Sequence, residues 1–584
     1  MKKINILIMA ILFIFNYGGF AQNEKITLPL RFDHYYTYDQ LVETVKLLNK
    51  AYPGLSKLDL VGKSEENRDI WAITINNPKT GDALSKPGVY VDGNIHGNEI
   101  QAGEVCLYFT EYLLKNYGKI DQITKLVDKN AYYIIPSVNV DGRYHFFKDG
   151  NTMHSNRGLR RPKDDDNDGL FDEDFPDDLD GDGSICQMRK KVAYGKWKID
   201  PEDSRLLKRV KKGEIGEWTY LGSEGIDNDG DGRINEDSEG YVDPNRNWAF
   251  NWQPDYVQRG AGDYPLSGVG LKAIAEYMMA RPNIIVVYSI HNYGGMFLRG
   301  PGTKSLGELN PRDIEVYDHL GKAGEKIVPG YRYLVSWKDL YSTYGDLTDF
   351  TSNIVGAYSF VTELFVEGSE TYSKKKKEQK DEEPNYGGRR SRNNDKELER
   401  LKFNDHLASG ILYKEWKPFK HPVYGDIEIG GWIKFSSRMP HTFMLPDLVH
   451  RNALAMIFTA EQTPDVKMEV FEKKKIGKDL YRIRVRLINK KVIPSMSHHA
   501  VSKKLYPKDI LKLTGNNIKV VAGGQLTDMY NDKVKYKEFK PELQFIFVPG
   551  DNKVEYQFLV SGKGKFSIKY QSQKAGKVQV DGSI

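Results

Sequence analysis

At 584 residues the chain is long enough for more than one domain, or for one domain with large insertions around a sizeable core. Hydrophobic residues make up 39% and charged residues 28%, which fits a water-soluble globular protein, and a net charge of +5 on this length leaves no nucleic-acid footprint. Cys106 and Cys186 are the two cysteines, so a framework of several disulfides is excluded; one bridge can be drawn, but Cys106 lies in an apolar helical run and reads as a small buried hydrophobe.

Taken in order, the chain opens with Lys2 and Lys3 before an apolar run from Ile4 to Phe15, and Gly19-Phe20-Ala21 puts small residues at the two positions a signal peptidase reads. Residues 1–21 are therefore predicted to be a signal peptide cleaved after Ala21, with a retained membrane anchor as the alternative, against which the run is short. No cysteine near the cleavage site offers a lipid attachment, and no later stretch is apolar enough to span a bilayer. The mature protein is expected in the periplasm or outside the cell.

Strand and helix signals then alternate. Thr37 and Gln40 have the spacing of a capping box, followed by Leu41, Val45 and Leu48 on one helical face before Pro53-Gly54. Leu58 and Leu60, Ile70 to Ile75, and Val89 to Val91 read as strands, the apolar pattern Ile100 to Leu114 as a helix, and Tyr132 to Ile135 as another strand. This alternation predicts an α/β sheet covered on both faces, with sites at the carboxyl ends of its strands. Gly93-Asn94-Ile95-His96-Gly97-Asn98-Glu99 lies at one such end. By itself, a His-x-x-Glu pair is more often solvated or hydrogen-bonded than ligating. Ile284 to Ile290, however, is a second apolar run that ends on a histidine, His291. Two imidazoles and a carboxylate, with a fourth position left for water, are a catalytic zinc set.

Five segments in order resemble the zinc carboxypeptidases related to carboxypeptidase A: Gly93 to Glu99, Asn139-Val140-Asp141-Gly142, Asp243-Pro244-Asn245-Arg246-Asn247-Trp248, Ser289 to Gly294, and Tyr358 to Leu364. The resemblance covers roughly residues 30 to 460 and implies a carboxypeptidase-like mixed sheet of eight strands with helices on both faces. It also implies His96, Glu99 and His291 as zinc ligands and Glu363 as the general base acting on a zinc-bound water, whose pKa falls to about 7. Asn245 and Arg246 match the pair that holds a substrate's terminal carboxylate, and Arg189 in Gln187-Met188-Arg189-Lys190 matches the arginine beside the scissile carbonyl. Arg160 and Arg161 compete for that last role but look more like surface charge. Tyr341 matches the substrate-capping tyrosine by an ungapped count from Glu363, in which Asp349 also matches; Tyr344 is the alternative. Asn98 stands where digestive members carry an arginine, and Thr348 and Gly302 occupy the pocket positions. No acidic pocket floor is expected, and the preferred terminal residue stays open.

Within an insertion at about 150–240, three repeats follow an Asp-x-Asp-x-Asp-Gly pattern: Asp164, Asp166 and Asp168; Asp178, Asp180 and Asp182; Asp227, Asp229 and Asp231. Oxygen ligands at alternate positions with a turn glycine fit calcium, although the distal glutamate of an EF-hand is missing; the other reading is a solvated acidic loop. A second insertion, about 368–402, has charge runs from Lys374 to Arg400 and almost no apolar residues, so it is expected to be a mobile surface loop. The carboxypeptidase-like domain is thus drawn at 22–462, and 463–584 is expected to be an accessory β-sandwich of roughly 120 residues. The reaction expected is hydrolysis of the C-terminal peptide bond of peptides with a free terminal carboxylate. Two alternatives stay open: an amidase or peptidoglycan-peptide hydrolase with the same zinc site, and a catalytically silent metal-binding adhesive protein.

Overall fold

The computed structural model describes residues 26–164, 169–237, 239–366 and 394–584. The segment read as a signal peptide and most of the second charged insertion lie outside them. Among the described residues no helix is long and apolar enough to cross a membrane.

The first helix, Tyr38–Ala51, starts as expected: Thr37 and Gln40 bond reciprocally as a capping box, and Leu41, Val45 and Leu48 are buried. Eight strands form the central sheet: β1 (Ser56–Lys63), β2 (Asp69–Ile75), β3 (Gly88–Gly93), β4 (Ala131–Ile135), β5 (Ile284–Asn292), β6 (Met296–Arg299), β7 (Arg332–Val335) and β8 (Tyr358–Leu364). Their order across the sheet is β1-β2-β4-β3-β5-β8-β6-β7. Alternate residues of the strands feed two cores. Val89, Val91, Tyr132 and Ile134 pack on one face under the helices Gln101–Asn116 and Leu445–Glu461. Tyr90, Ala131, Tyr133 and Ile135 pack on the other with the helix Val269–Met279. Strands buried on both faces need continuous apolar runs, and β3, β4 and β5 are those runs.

The centre of the sheet is parallel, and its register decides where side chains emerge. Ile290 pairs with Gly93 and His291 pairs with Glu363, so β3, β5 and β8 end side by side. A residue just past any of these ends meets residues from the other two.

The first insertion is more ordered than a set of acidic loops. It contributes the strands Gln187–Gly195, Trp197–Ile199, Leu207–Arg209 and Gly216–Ser223 to a six-stranded sheet completed by Tyr413–His421 and Gly425–Trp432. The second insertion corrects an expectation: its last part is not a loop, since Asn394–His406 forms a helix. Leu401 on that helix packs with Leu206 and Tyr413, enough apolar contact to fix one turn of an otherwise charged segment.

Beyond the helix Leu445–Glu461, a five-stranded and a four-stranded sheet share one core, in which Val485, Leu487 and Phe558 of the first meet Leu511, Ile568 and Tyr570 of the second. This sandwich is seated on the amino-terminal ends of β5 and β8. Lys574 Nζ donates to the carbonyls of Ile284 and Val355, and Ser497 Oγ donates to Gly356 O at 3.0 Å. Asp313 accepts the amides of His498 and His499 at 2.9 and 2.8 Å and the Tyr358 hydroxyl at 2.6 Å.

Candidate functional site

At the shared strand end, the loop after β3 is shaped by its own asparagine. Asn94 adopts a left-handed φ of 57° and donates from Nδ2 to the carbonyls of His96 and Gly97 at 2.7 and 3.0 Å. Gly97 lies so close to its neighbours that a Cβ would sit 2.3 Å from Asn156 O and 2.4 Å from Gly142 Cα. Asn139 of the second motif caps the next helix through Gly142 N and donates to the carbonyl of Gly158, while Gly97 N donates to Arg157 O at 3.0 Å. The loop after β3 and the segment around Arg157 are thereby locked together.

His96, Glu99 and His291 converge as expected, each at most 3% exposed. His96 Nδ1 lies 2.9 Å from Glu99 Oε1, and His291 Nδ1 lies 3.1 Å from Glu99 Oε2 and 3.3 Å from His96 Nδ1. The far nitrogen of His96 lies 3.0 Å from Asp243 Oδ1, which suits an Nε2–H donated to the carboxylate with the Nδ1 lone pair turned toward Glu99. Burial opposes the Glu99 charge, yet the two imidazoles hold its carboxyl well below the usual range. Burial likewise opposes Asp243, and His96, Arg246 and Arg157 hold it far below. Two imidazole nitrogens and a carboxylate crowded to about 3 Å in a dry site fit a zinc ion, and Asp243 is the kind of outer partner that such a histidine uses.

Glu363, the penultimate residue of β8, pairs with His291 on the neighbouring strand. Loss of water around it pushes its carboxyl up to about 7, against the pull of His291, Arg157 and Arg438. Asn245 and Arg246 follow Asp243 directly. Asn245 N donates to Asp243 Oδ1 at 2.8 Å, Asn245 Oδ1 accepts Leu347 N at 2.9 Å, and the Arg246 charge bears on both Asp243 and Asp346. Tyr341 is 53% exposed and within electrostatic reach of Arg157, whereas Tyr344 is part-buried and fastened through its amide to Gln258.

The structure does not bring Arg189 to this site. Its guanidinium lies 4.6 Å from the ring centre of Trp218 and 4.1 Å from that of Trp416, and Nε donates to Glu428 Oε2 at 2.7 Å. All four residues belong to the six-stranded sheet. Arg157 stands beside His96 and Glu99 instead: Nη1 donates to Glu99 Oε1 at 3.0 Å, Nη2 lies 3.0 Å from His96 Nε2, and Nε lies 3.7 Å from Asp243 Oδ2. Arg160 and Arg161 are partly exposed and ion-paired with Asp149 and Asp263. The available signal for Arg157 was its place fifteen residues after Gly142 and ahead of the Asp-x-Asp repeats; Arg189 lies beyond the first two of them.

The pocket positions also differ from expectation. Gly302 N donates to both oxygens of Asp349 at 3.1 Å, and a Cβ on Gly302 would lie 2.4 Å from Asp346 Oδ2. Two buried carboxylates therefore flank Gly302, on either side of Thr348 in the chain. Burial and the Asp346 charge push the Asp349 carboxyl up to about 8.

Among the described residues of the acidic insertion, carboxylate oxygens gather in three groups, each within 4.8 Å: Asp178, Asp180 and Glu224; Asp174, Asp229 and Glu236; Asp227, Asp229 and Asp231. Asp182 is ion-paired with Lys414, Asp164 Oδ2 accepts Gly169 N at 3.2 Å, and Asp166 and Asp168 lie outside the described residues. Glu224, which the Asp-x-Asp pattern did not mark, is fully buried, and desolvation pushes its carboxyl up to about 8. Cys106 and Cys186 are both free and buried.

A family described as zinc carboxypeptidase matches residues 41–189 and 220–383, just over half of the chain, and residues 465–582 match a domain of unknown function. Among curated proteins, human carboxypeptidase D is 35% identical over 116 residues, 20% of this chain and 8% of its own length. The human carboxypeptidase N catalytic chain is 30% identical over 119 residues, 20% of this chain and 26% of its own length. The matches thus span well under half the length of these relatives. A solved carboxypeptidase A from Helicoverpa armigera aligns with 19% identity and a TM-score of 0.40, over 59% of this chain and 68% of that one.

Proposed function

Since the chain belongs to the zinc carboxypeptidase family, we propose that it removes residues one at a time from the C-terminus of peptides. The observation that carries this reading is the convergence of His96, Glu99 and His291 with Glu363 at the ends of adjacent parallel strands, beside the Asn245–Arg246 pair.

His96 and His291 through Nδ1 and Glu99 through its carboxylate would hold the zinc. When bound, zinc supplies a Lewis acid that polarises a carbonyl and makes water acidic near neutral pH. Arg246 presents a planar fork to the substrate's terminal carboxylate, and Asn245, with its oxygen spent on Leu347 N, meets that carboxylate with its NH2. Tyr341 closes over the bound chain end. Glu363 takes a proton from the attacking water on its carboxylate and hands it to the leaving amine nitrogen. Arg157 stabilises the charge that develops on the scissile carbonyl oxygen.

A mass-spectrometric readout of peptides incubated with the zinc-loaded protein tests the reading. Ladders shortened by single C-terminal residues, absent with chelator, are expected. Internal cleavage, or activity on muropeptides but not on ordinary peptides, would reject it in favour of an amidase or peptidoglycan-peptide hydrolase.

Two further readings belong to the same proposal. Calcium in the acidic insertion is favoured by its three carboxylate groups, and a melting temperature of the chelated protein that ignores added calcium would remove it. Export with cleavage after Ala21 is favoured by Lys2, Lys3 and the run Ile4 to Phe15, and intact-mass measurement of the secreted or periplasmic protein tests it.

A further inference from the structure

A second guanidinium reaches the ligands from beyond the family match, which stops at residue 383. Arg438 follows the strand Gly425–Trp432, and its carbonyl oxygen accepts Asn292 Nδ2 at 2.6 Å and Gln101 Nε2 at 2.9 Å. Its backbone is thereby tied to the residue after His291 and to the second residue after Glu99. These ties hold it at a φ of 66°, a left-handed conformation that is strained for a residue other than glycine and collects at functional sites. From there Nη2 lies 3.6 Å from Glu99 Oε1 and 3.4 Å from Asn292 O, Nη1 lies 3.2 Å from His154 Nδ1, and the guanidinium is 5.3 Å from the centre of the Tyr293 ring.

Asn98, between the two ligands of its loop, is too short to make these contacts; its Nδ2 bonds to Met153 O at 3.2 Å, next to His154. Burial, and after it the Arg438 and Arg157 charges, push the His154 imidazole below its ordinary value. Arg246 approaches the ligands differently, through Asp243 on the far nitrogen of His96. On the carboxypeptidase reading, with the terminal carboxylate on Arg246 and the scissile carbonyl at His96, Glu99 and His291, we take the chain to run onward past Glu99 and Asn292. Its preceding residues then pass Arg438, whose side chain is 15% exposed.

We propose that Arg438 is a substrate-binding residue that donates to a peptide carbonyl oxygen on the amino-terminal side of the bond being cut. The inference rests on the carboxypeptidase reading above. A fixed fork of N–H donors suits a carbonyl oxygen, and it rewards substrates long enough to present one.

The test compares the zinc-loaded parent with Arg438→Met on two substrates that share a C-terminal residue: a free dipeptide, which has no carbonyl before the scissile one, and an N-acylated tetrapeptide, which has several. For Arg438→Met, kcat/KM on the tetrapeptide is expected to fall about 10- to 100-fold further than on the dipeptide, mostly through KM, with zinc content equal to the parent's. Arg438→Lys, which keeps the charge without the fork, should fall between the two. Equal losses on both substrates, no loss on either, or zinc lost from Arg438→Met would overturn the assignment. A parent that cuts neither substrate overturns the carboxypeptidase reading itself, and its own rates separate that outcome from the others.

Discussion

At the scale of single residues, the site is governed by which polar atoms face which. Asp243 lies 3.0 Å from His96 Nε2 and, by accepting an Nε2–H there, would leave Nδ1 to face a zinc ion. Asp243→Asn should therefore weaken zinc binding roughly 10- to 100-fold in a chelator competition. An unchanged affinity would show that Asp243 serves Asn245 and Arg246 alone. The two candidate arginines should separate cleanly. Arg157→Met, at the ligands, is expected to lower kcat about 100- to 1,000-fold with little change in melting temperature. Arg189→Met, between Trp218 and Trp416, is expected to lower the melting temperature and spare kcat. The reverse pattern would restore Arg189 to the carbonyl role. The convergence of His96, Glu99 and His291 near Glu363 was legible in the sequence because each lies at or just past the end of a strand with an unmistakable apolar run. Arg157 was not, because three arginines stand within five residues and the one chosen lay beyond two acidic repeats of unknown path. Arg438 gave no signal at all: it comes from a loop 339 positions after Glu99 and is brought close only by its bonds to Asn292 and Gln101.

At the scale of elements, the parallel register of β3, β5 and β8 does the assembling, and the loop after β3 depends on a close approach. A Cβ on Gly97 would fall within 2.4 Å of the backbone at Asn156 and Gly142. Gly97→Ala should destabilise the protein by about 1–3 kcal/mol and lower its zinc content, measured by denaturant unfolding and metal analysis. Full zinc occupancy with unaltered stability would mean that the loop has room to shift. The central sheet could be foreseen from alternating strand and helix signals, and the sandwich from short strands split by turns. The six-stranded sheet could not, because it joins strands from 187–223 to strands from 413–432 across the whole catalytic core. Sequence patterns report local periodicity, and this pairing is made by long-range contact alone.

At the scale of the whole molecule, the sandwich holds the starts of the two strands whose ends carry His291 and Glu363. Lys574 makes this junction with a fully buried ammonium, and desolvation lowers it to about 7 from its ordinary value of 10.5. Between those two values the unfolded chain binds a proton that the folded one does not, so this group's contribution to stability rises with pH from about 7 to about 10.5. Denaturation midpoints at pH 7 and pH 9.5 should show the parent gaining on Lys574→Met at the higher pH. A constant difference between the two proteins would contradict that burial. The central claim is that Glu363 moves the proton at a zinc site built by His96, Glu99 and His291. Its most direct test is the turnover of zinc-loaded Glu363→Gln on a C-terminal peptide substrate, with bound zinc measured in the same sample. One zinc per chain and a kcat lowered about 1,000-fold are expected; a variant that keeps its zinc and the parent's kcat would rule out Glu363 as the base.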